Sequence, residues 1–320
     1  MVLNSSRGVS VWETETRTVA RNGTKGRNPG WTGGRIIWPM AAIIDVDQLS
    51  SVRRRAVLLF ATAGGARPTE AIPGSFVAAL DGDFSDPTHP LPNTVPVDPA
   101  RVFEAYGISD KTPVVVYDDS ETPLAPRVWW LARVAGLRNV AVLDGGLAAW
   151  RAADRPLAEP KSAEEATPGQ ITAAPSWELL TDADGVREAL ALGHRHVVDV
   201  RSATRFCGTE PEPRENVRSG HMPGAVNLPY TRFRTADGRY RDVDEMRDLL
   251  ETVLGPAGAA TFVCGSGVTA CVGALAATLA GYGDVEVYEG SWTEWGHVDN
   301  DPAEFPAVTG DGGEDLDGRA

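Results

Sequence analysis

Cysteine is scarce in this chain. There are three in 320 residues, Cys207, Cys264 and Cys271, and none belongs to a C-x-x-C pair. That excludes a disulfide framework and fits a reducing, cytoplasmic setting in which at least one thiol stays free. Histidine is thin as well. The five present (His89, His194, His196, His221 and His297) show no zinc-ligand spacing, so no metal and no other cofactor is expected. An excess of positive charge is missing: 30 Lys and Arg stand against 44 Asp and Glu, a formal charge of -14. Binding a phosphate backbone needs a basic face, so nucleic acid is not an expected partner. No apolar run is long enough to span a bilayer, and the N-terminus lacks the apolar core of a secretory signal. A membrane is therefore not an expected partner either.

What is present is enough length and apolar content for two domains of ordinary size. Residues 1–39 are polar, rich in Gly, Arg and Thr, and without periodicity, so they are expected to be disordered. Over residues 40–156 strand-like and helix-like runs alternate. Ala56 to Phe60, Pro113 to Tyr117 and Asn139 to Leu143 read as strands. Asp98 followed by Pro99 marks a helix start, and Ala125 to Ala135 carries Val128, Trp129, Leu131 and Ala132 on one helical face. Residues 157–175, rich in Ala, Pro, Glu and Lys, read as a linker. The alternation resumes over residues 176–300, with strands at Val197 to Val200, Ala225 to Leu228, Thr261 to Val263 and Val285 to Tyr288, and a helix from Val243 to Leu254. Residues 301–320 form an acidic, Gly-rich tail expected to fray. Strands alternating with helices imply an α/β fold, with mostly parallel sheets flanked by helices.

The chemistry concentrates at Ala260 to Tyr282. An apolar, strand-like run stops at Cys264, Gly265 and Gly267 bend the chain, and an alanine-rich helix follows. At such a strand-to-helix turn, backbone N–H groups point inward and the positive end of the helix dipole lies close by. Both favour negative charge at that place, so a sulfur there is expected to be reactive. The glycines let the backbone wrap the sulfur. The competing reading is a buried cysteine ending a core strand.

The two halves also match each other. Ile72-Pro73-Gly74-Ser75-Phe76 parallels Met222-Pro223-Gly224-Ala225-Val226, and Val115 to Asp118 parallels Thr261 to Cys264. Val142 to Trp150 parallels Val287 to Trp295, in the same order and at similar spacing. A duplicated α/β domain explains this. The copies differ where it matters most: Asp118 stands where the second half has Cys264, and a carboxylate cannot carry a transferable sulfur.

Taken together, these motifs resemble the two-domain rhodanese superfamily, specifically the thiosulfate/3-mercaptopyruvate sulfurtransferases. Cys264 to Ala270 resembles the active-site loop of the mercaptopyruvate-type members. Gly290-Ser291-Trp292-Thr293-Glu294-Trp295 resembles their C-terminal signature, and Gly220 to Ala225 their domain-opening turn. The resemblance implies two rhodanese-like domains, the first inactive and the second catalytic. The implied reaction passes sulfur from a small anionic donor, 3-mercaptopyruvate or thiosulfate, to Cys264 as a persulfide. An acceptor such as cyanide, a small thiol or reduced thioredoxin then takes it. Ser266 is implied as a catalytic hydroxyl, and Gly265, Gly267, Val268 and Thr269 as the cradle around the substrate sulfur. Arg205 and Arg214 are implied as the grip on the substrate carboxylate.

Alternatives attach to several of these residues. The arginines can instead pair with Glu210 or Glu212 at the surface, and Thr269 can simply cap the helix. Cys207 lies between the arginines, and Cys271 is expected in the core. Asp199 and Arg201 are expected to pair, with His221 as a further partner. One position departs from the family: where some relatives place a histidine before the Ile-Pro-Gly turn, this chain has Ala71. A phosphatase of the Cys-x5-Arg type needs an arginine where Ala270 stands. The alternative from a different class is a rhodanese-like sulfur-binding or regulatory module without turnover.

Overall fold

The computed structural model describes residues 41–65, 67–119 and 122–310. The expected disordered extension lies outside them, as do residues 311–320 of the tail. Two five-stranded sheets share one topology. The first domain runs β1 (Ile43–Ile44), α1 (Val46–Val52), β2 (Val57–Thr62), β3 (Phe76–Ala79), α2 (Pro99–Ala105), β4 (Val114–Tyr117), α3 (Ala125–Val134), β5 (Val140–Leu143) and α4 (Gly146–Ala152). The second runs β6 (Leu180–Thr181), α5 (Ala183–Leu192), β7 (His196–Asp199), α6 (Ala203–Phe206), β8 (Val226–Asn227), α7 (Val243–Leu254), β9 (Ala260–Val263), α8 (Ala270–Ala280), β10 (Val285–Tyr288) and α9 (Ser291–Trp295). The strand orders are β1-β5-β4-β2-β3 and β6-β10-β9-β7-β8. Every pairing within the sheets is parallel.

Local chemistry explains the elements. The central strands β4 and β9 are buried at every position, as parallel strands covered on both faces must be. Asp98 accepts the Arg101 N–H at the start of α2, with Pro99 in its first turn. Asp45 and Gln48 close a capping box on α1. In α8, small residues leave nine of eleven positions buried, and it packs on α3 of the first domain. The cores of the two domains merge there: one apolar cluster holds Trp129 and Trp130 together with Phe262, Cys271 and Leu275. Arg133 lies over both tryptophan rings and donates to Thr278 Oγ1 (3.3 Å) on α8.

Two stretches differ from the sequence-based expectation. Residues 157–175 run along the first domain, with Ala158 exchanging backbone hydrogen bonds with Ala71 (2.8 and 2.9 Å) and Ile171 N–H donating to Glu104 Oε1 (2.7 Å). The tail is anchored through residue 310. Phe305 packs on Trp295, Pro306 O accepts from Trp295 Nε1 (2.8 Å), and Val308 pairs with His221. Its acidity hid two apolar residues, Phe305 and Val308, that the second domain covers or pairs. Among the described residues no helix is long and apolar enough to cross a membrane.

Candidate active site

Cys264 ends β9, and the loop to α8 is held from behind by Ser291. The Cys264 and Gly267 N–H groups both donate to Ser291 Oγ (3.1 Å each), which itself donates to Tyr288 O (2.8 Å). Ser291 takes φ 50°, rare for a residue with a Cβ, and is fully buried. The loop carbonyls are tied as well. Trp292 N–H donates to Cys264 O (3.0 Å), and Thr293 donates to Gly265 O through its N–H (2.8 Å) and its hydroxyl (2.5 Å). Gly267 sits at φ 75°, where a Cβ would come within 2.8 Å of Glu289 O.

With those groups committed, the N–H groups of Gly265, Ser266, Val268, Thr269 and Ala270 have no protein acceptor among the described residues. They surround the start of an eleven-residue helix, which makes a ready cradle for an anion. One expected member drops out: the Gly267 N–H is spent on Ser291. Thr269 takes the N-cap position of α8, as its alternative reading had it, but its side chain makes no cap hydrogen bond.

Arg205 and Arg214 converge on this loop. A Cβ on Gly265 would lie 3.1 Å from Arg205 Nη2 and 3.4 Å from Arg214 Nη1. The two differ in what already binds them. Arg205, on the short helix α6, grips Glu212 through Nε (3.1 Å) and Nη2 (2.5 Å). Arg201 Nη1 shares the same carboxylate (2.8 Å). The expected alternative is therefore half right for Arg205, except that Glu212 is buried, its side chain only 3% exposed. Arg214 pairs with no carboxylate among the described residues and donates to Ser266 Oγ (3.1 Å).

The first domain roofs the loop. Asn93, on the β3–α2 connection, donates from Nδ2 to Ser266 Oγ (3.2 Å). Arg127 of α3, wholly buried, donates from Nη2 to Asn93 O (2.5 Å) and Glu289 Oε1 (2.6 Å), and Val95 N–H donates to the same Glu289 oxygen (2.5 Å). Burial is the strongest influence on Arg127 and works against its charge, but Glu289 and Cys271 beside it together outweigh burial and raise its pKa. The roof leaves Cys264 2% exposed, far more enclosed than an open cleft would make it.

The matching place in the first domain carries a built-in anion. Asp118 Oδ2 accepts the Leu124 and Ala125 N–H groups (2.8 and 2.7 Å) at the start of α3. Burial pushes its carboxyl above the usual carboxylate range, against the pull of those amides. The roof is mirrored too: Tyr240 N–H donates to Asp144 Oδ1 (2.8 Å) as Val95 N–H does to Glu289. A cleft of about 610 Å³ opens beside Asp118, lined by Asp119, Tyr230, Arg234 and Asp237 among others. No cysteine lines it.

The remaining residues fall into place around this frame. Cys271 is fully buried, its thiol donates to Gly267 O (3.3 Å), and burial pushes it up to about 12. Cys207 ends α6, and its carbonyl accepts from Gly310. Asp199 and Arg201 form the expected pair (2.9 Å), but His221 instead stacks on Phe206 and bonds its carbonyl (2.8 Å). Sequence reasoning missed Asn93, Arg127, Glu212, Glu289 and Ser291 as parts of the site. Glu212 had been named only as a surface partner of the arginines, and Glu289 and Ser291 both stood inside the Val287 to Trp295 repeat without a role.

Comparison with known proteins agrees with this geometry. The rhodanese-like domain model matches residues 41–153 and again 182–297. The chain is 40% identical over 230 residues to 3-mercaptopyruvate sulfurtransferase of Mus musculus, covering 70% of this chain and 76% of that protein. It is 42% identical over 195 residues to thiosulfate sulfurtransferase of Gallus gallus, covering 60% and 66%. The crystal structure of SseA from Escherichia coli, described with the 3-mercaptopyruvate sulfotransferases, is similar at a TM-score of 0.64 and 27% identity, covering 80% of this chain and all of SseA. With both halves matched and relatives of this similarity, the chain belongs to the rhodanese family and is a tandem-domain sulfurtransferase.

Proposed function

We propose that the protein moves sulfane sulfur from 3-mercaptopyruvate or thiosulfate onto Cys264, as a persulfide, and from there to a thiophilic acceptor. The observation that carries this reading is the pairing of five uncommitted loop amides with two guanidinium groups around one cysteine. The amides offer an anionic sulfur hydrogen bonds at no reorganisation cost. Arg214 is the free arm for a donor carboxylate or sulfonate. Arg205 is steadied by Glu212, and the same Nη2 that bonds this carboxylate reaches the loop at Gly265. Ser266 supplies a hydroxyl beside the reacting sulfur, while Val268, Thr269 and the glycines shape the cradle.

The first half-reaction forms an S–S bond between Cys264 and the donor's outer sulfur. With thiosulfate the S–S bond of the donor breaks and sulfite leaves with the electron pair. With 3-mercaptopyruvate the C–S bond breaks and the pair goes into pyruvate enolate, which later takes a proton. The second half-reaction returns the cysteine as cyanide, a small thiol or reduced thioredoxin takes the sulfur. The first domain, with Asp118 in place of a cysteine, acts as the inactive wall of the site. Three cysteines without a framework support a cytoplasmic setting, and the charge of -14 supports small anions and acceptor proteins rather than nucleic acid as partners.

A cyanide-dependent thiocyanate assay with each donor tests this reading. Turnover with at least one donor is expected, and its complete loss in Cys264→Ser. Equal turnover in that variant would end the proposal.

A further inference from the structure

We propose that Asn93 of the first domain is a positioning residue that aims the Ser266 hydroxyl proton at the leaving group, a reading that rests on the sulfurtransferase function above. A hydroxyl has one proton to give and two lone pairs to receive with. Both lone pairs of Ser266 Oγ are taken, by Asn93 Nδ2 at 3.2 Å and Arg214 Nη2 at 3.1 Å. Its proton is therefore left for a third direction, and Ser266 stands two residues from Cys264 in the loop that receives the donor.

Asn93 is itself fixed from behind. Its backbone takes φ 61°, a conformation asparagine tolerates better than most residues. Its carbonyl is held by Arg127 Nη2, which is clamped in turn by Glu289. Arg127 is completely buried, so this strut runs from the joint core of the two domains to the serine hydroxyl. The catalytic domain alone would lack one of the two donors that orient Ser266.

The consequence differs between donors. Breaking the C–S bond of a 2-keto thiol places new negative charge on an enolate oxygen, where a directed O–H helps most. Sulfite leaving from thiosulfate carries oxygens that were already charged in the donor, so the same hydroxyl gains less there. No proton is transferred by Ser266 in this step. It donates a hydrogen bond while the enolate forms, and water supplies the proton afterwards.

Two variants of the full chain test the proposal. Asn93→Asp keeps the shape and the left-handed backbone but offers a carboxylate, which captures the Ser266 proton. We expect its kcat with 3-mercaptopyruvate to fall about tenfold at neutral pH, KM changing by less than about twofold, with a smaller loss on thiosulfate. Its kcat relative to wild type should climb as pH drops and the new carboxylate takes a proton. Asn93→Gly keeps the backbone and deletes the amide, so it should show the same donor bias without the added pH dependence. Wild-type behaviour of both variants, or an equal loss on both donors at every pH, would overturn the proposal. A wild-type enzyme that leaves Cys264 without sulfur would instead overturn the function on which it rests, and the two failures are distinguishable in one experiment.

Discussion

The three cysteines differ in their surroundings: Cys207 is half-buried, whereas Cys264 and Cys271 are buried. Cys271 sits inside the joint core and burial pushes its thiol up to about 12, so it stays protonated across the physiological range. Limited alkylation of the native protein near neutral pH should therefore leave Cys271 unmodified, and peptide mapping checks this. Ser291 is the residue on which the loop geometry depends, since one oxygen fixes two loop amides. Ser291→Ala should cost about 1–3 kcal/mol of stability, because two buried amides lose their acceptor, and should lower kcat as well. Denaturant unfolding and donor kinetics read the two effects separately. For Arg214→Ala the expected change is a raised KM for the keto acid, with kcat less affected, because ground-state binding is removed. An unchanged KM would exclude the arginine from the donor site. The arginines were legible in the sequence because they flank one short segment to which the resemblance gives a role, although Arg214 meets Ser266 across 52 residues. Asn93 was not, since a contact 173 residues away leaves no local trace.

Among the elements, the strand-to-helix turns after β4 and β9 show one backbone solution used twice. In one, free amides await an external anion; in the other, Asp118 fills the same position from within. The strands and α7 were readable from apolar runs and amphipathic spacing. Of the two-residue strands, β8 fell inside the run read at Ala225 to Leu228, whereas β1 and β6 were not read as strands. Asp118 also gives a pH signature. Its folded-state pKa is raised by burial, so between the usual aspartate pKa and that raised value the folded state holds more proton than the unfolded one. Stability contributed by this group is thus present at acid pH and declines as pH rises through that window. Asp118→Asn keeps an oxygen for both amides and removes the charge. Its melting temperature should gain on wild type as pH rises from about 4, where an unfolded aspartate ionises. A constant gap across pH would show that the carboxyl is not perturbed. Around α6 the cluster of buried Arg201 and Glu212 with half-buried Arg205 predicts a measurable effect in Glu212→Ala. Arg201 keeps Asp199 but loses its second carboxylate, so the cost should be about 1–3 kcal/mol, read by denaturant unfolding.

For the whole molecule, two rhodanese-like domains of one topology carry different residues at the matching turn, Asp118 in the first and Cys264 in the second. Each domain lends a loop to roof the other, and α3 against α8 fuses the cores, so the first domain is part of the candidate site rather than an appendage. The repeat was plain from the sequence, but the way the halves embrace was not, because no residue pattern encodes which surface meets which. The enclosed thiol, 2% exposed, follows from that embrace. The central claim is that Cys264 carries the transferred sulfur. Mass spectrometry of the intact chain and its peptides after incubation with 3-mercaptopyruvate or thiosulfate, without acceptor, tests it most directly. One added sulfur atom on the Cys264 peptide, removed by cyanide, is the predicted result. No added sulfur on that peptide, or sulfur found on Cys207 instead, would contradict it.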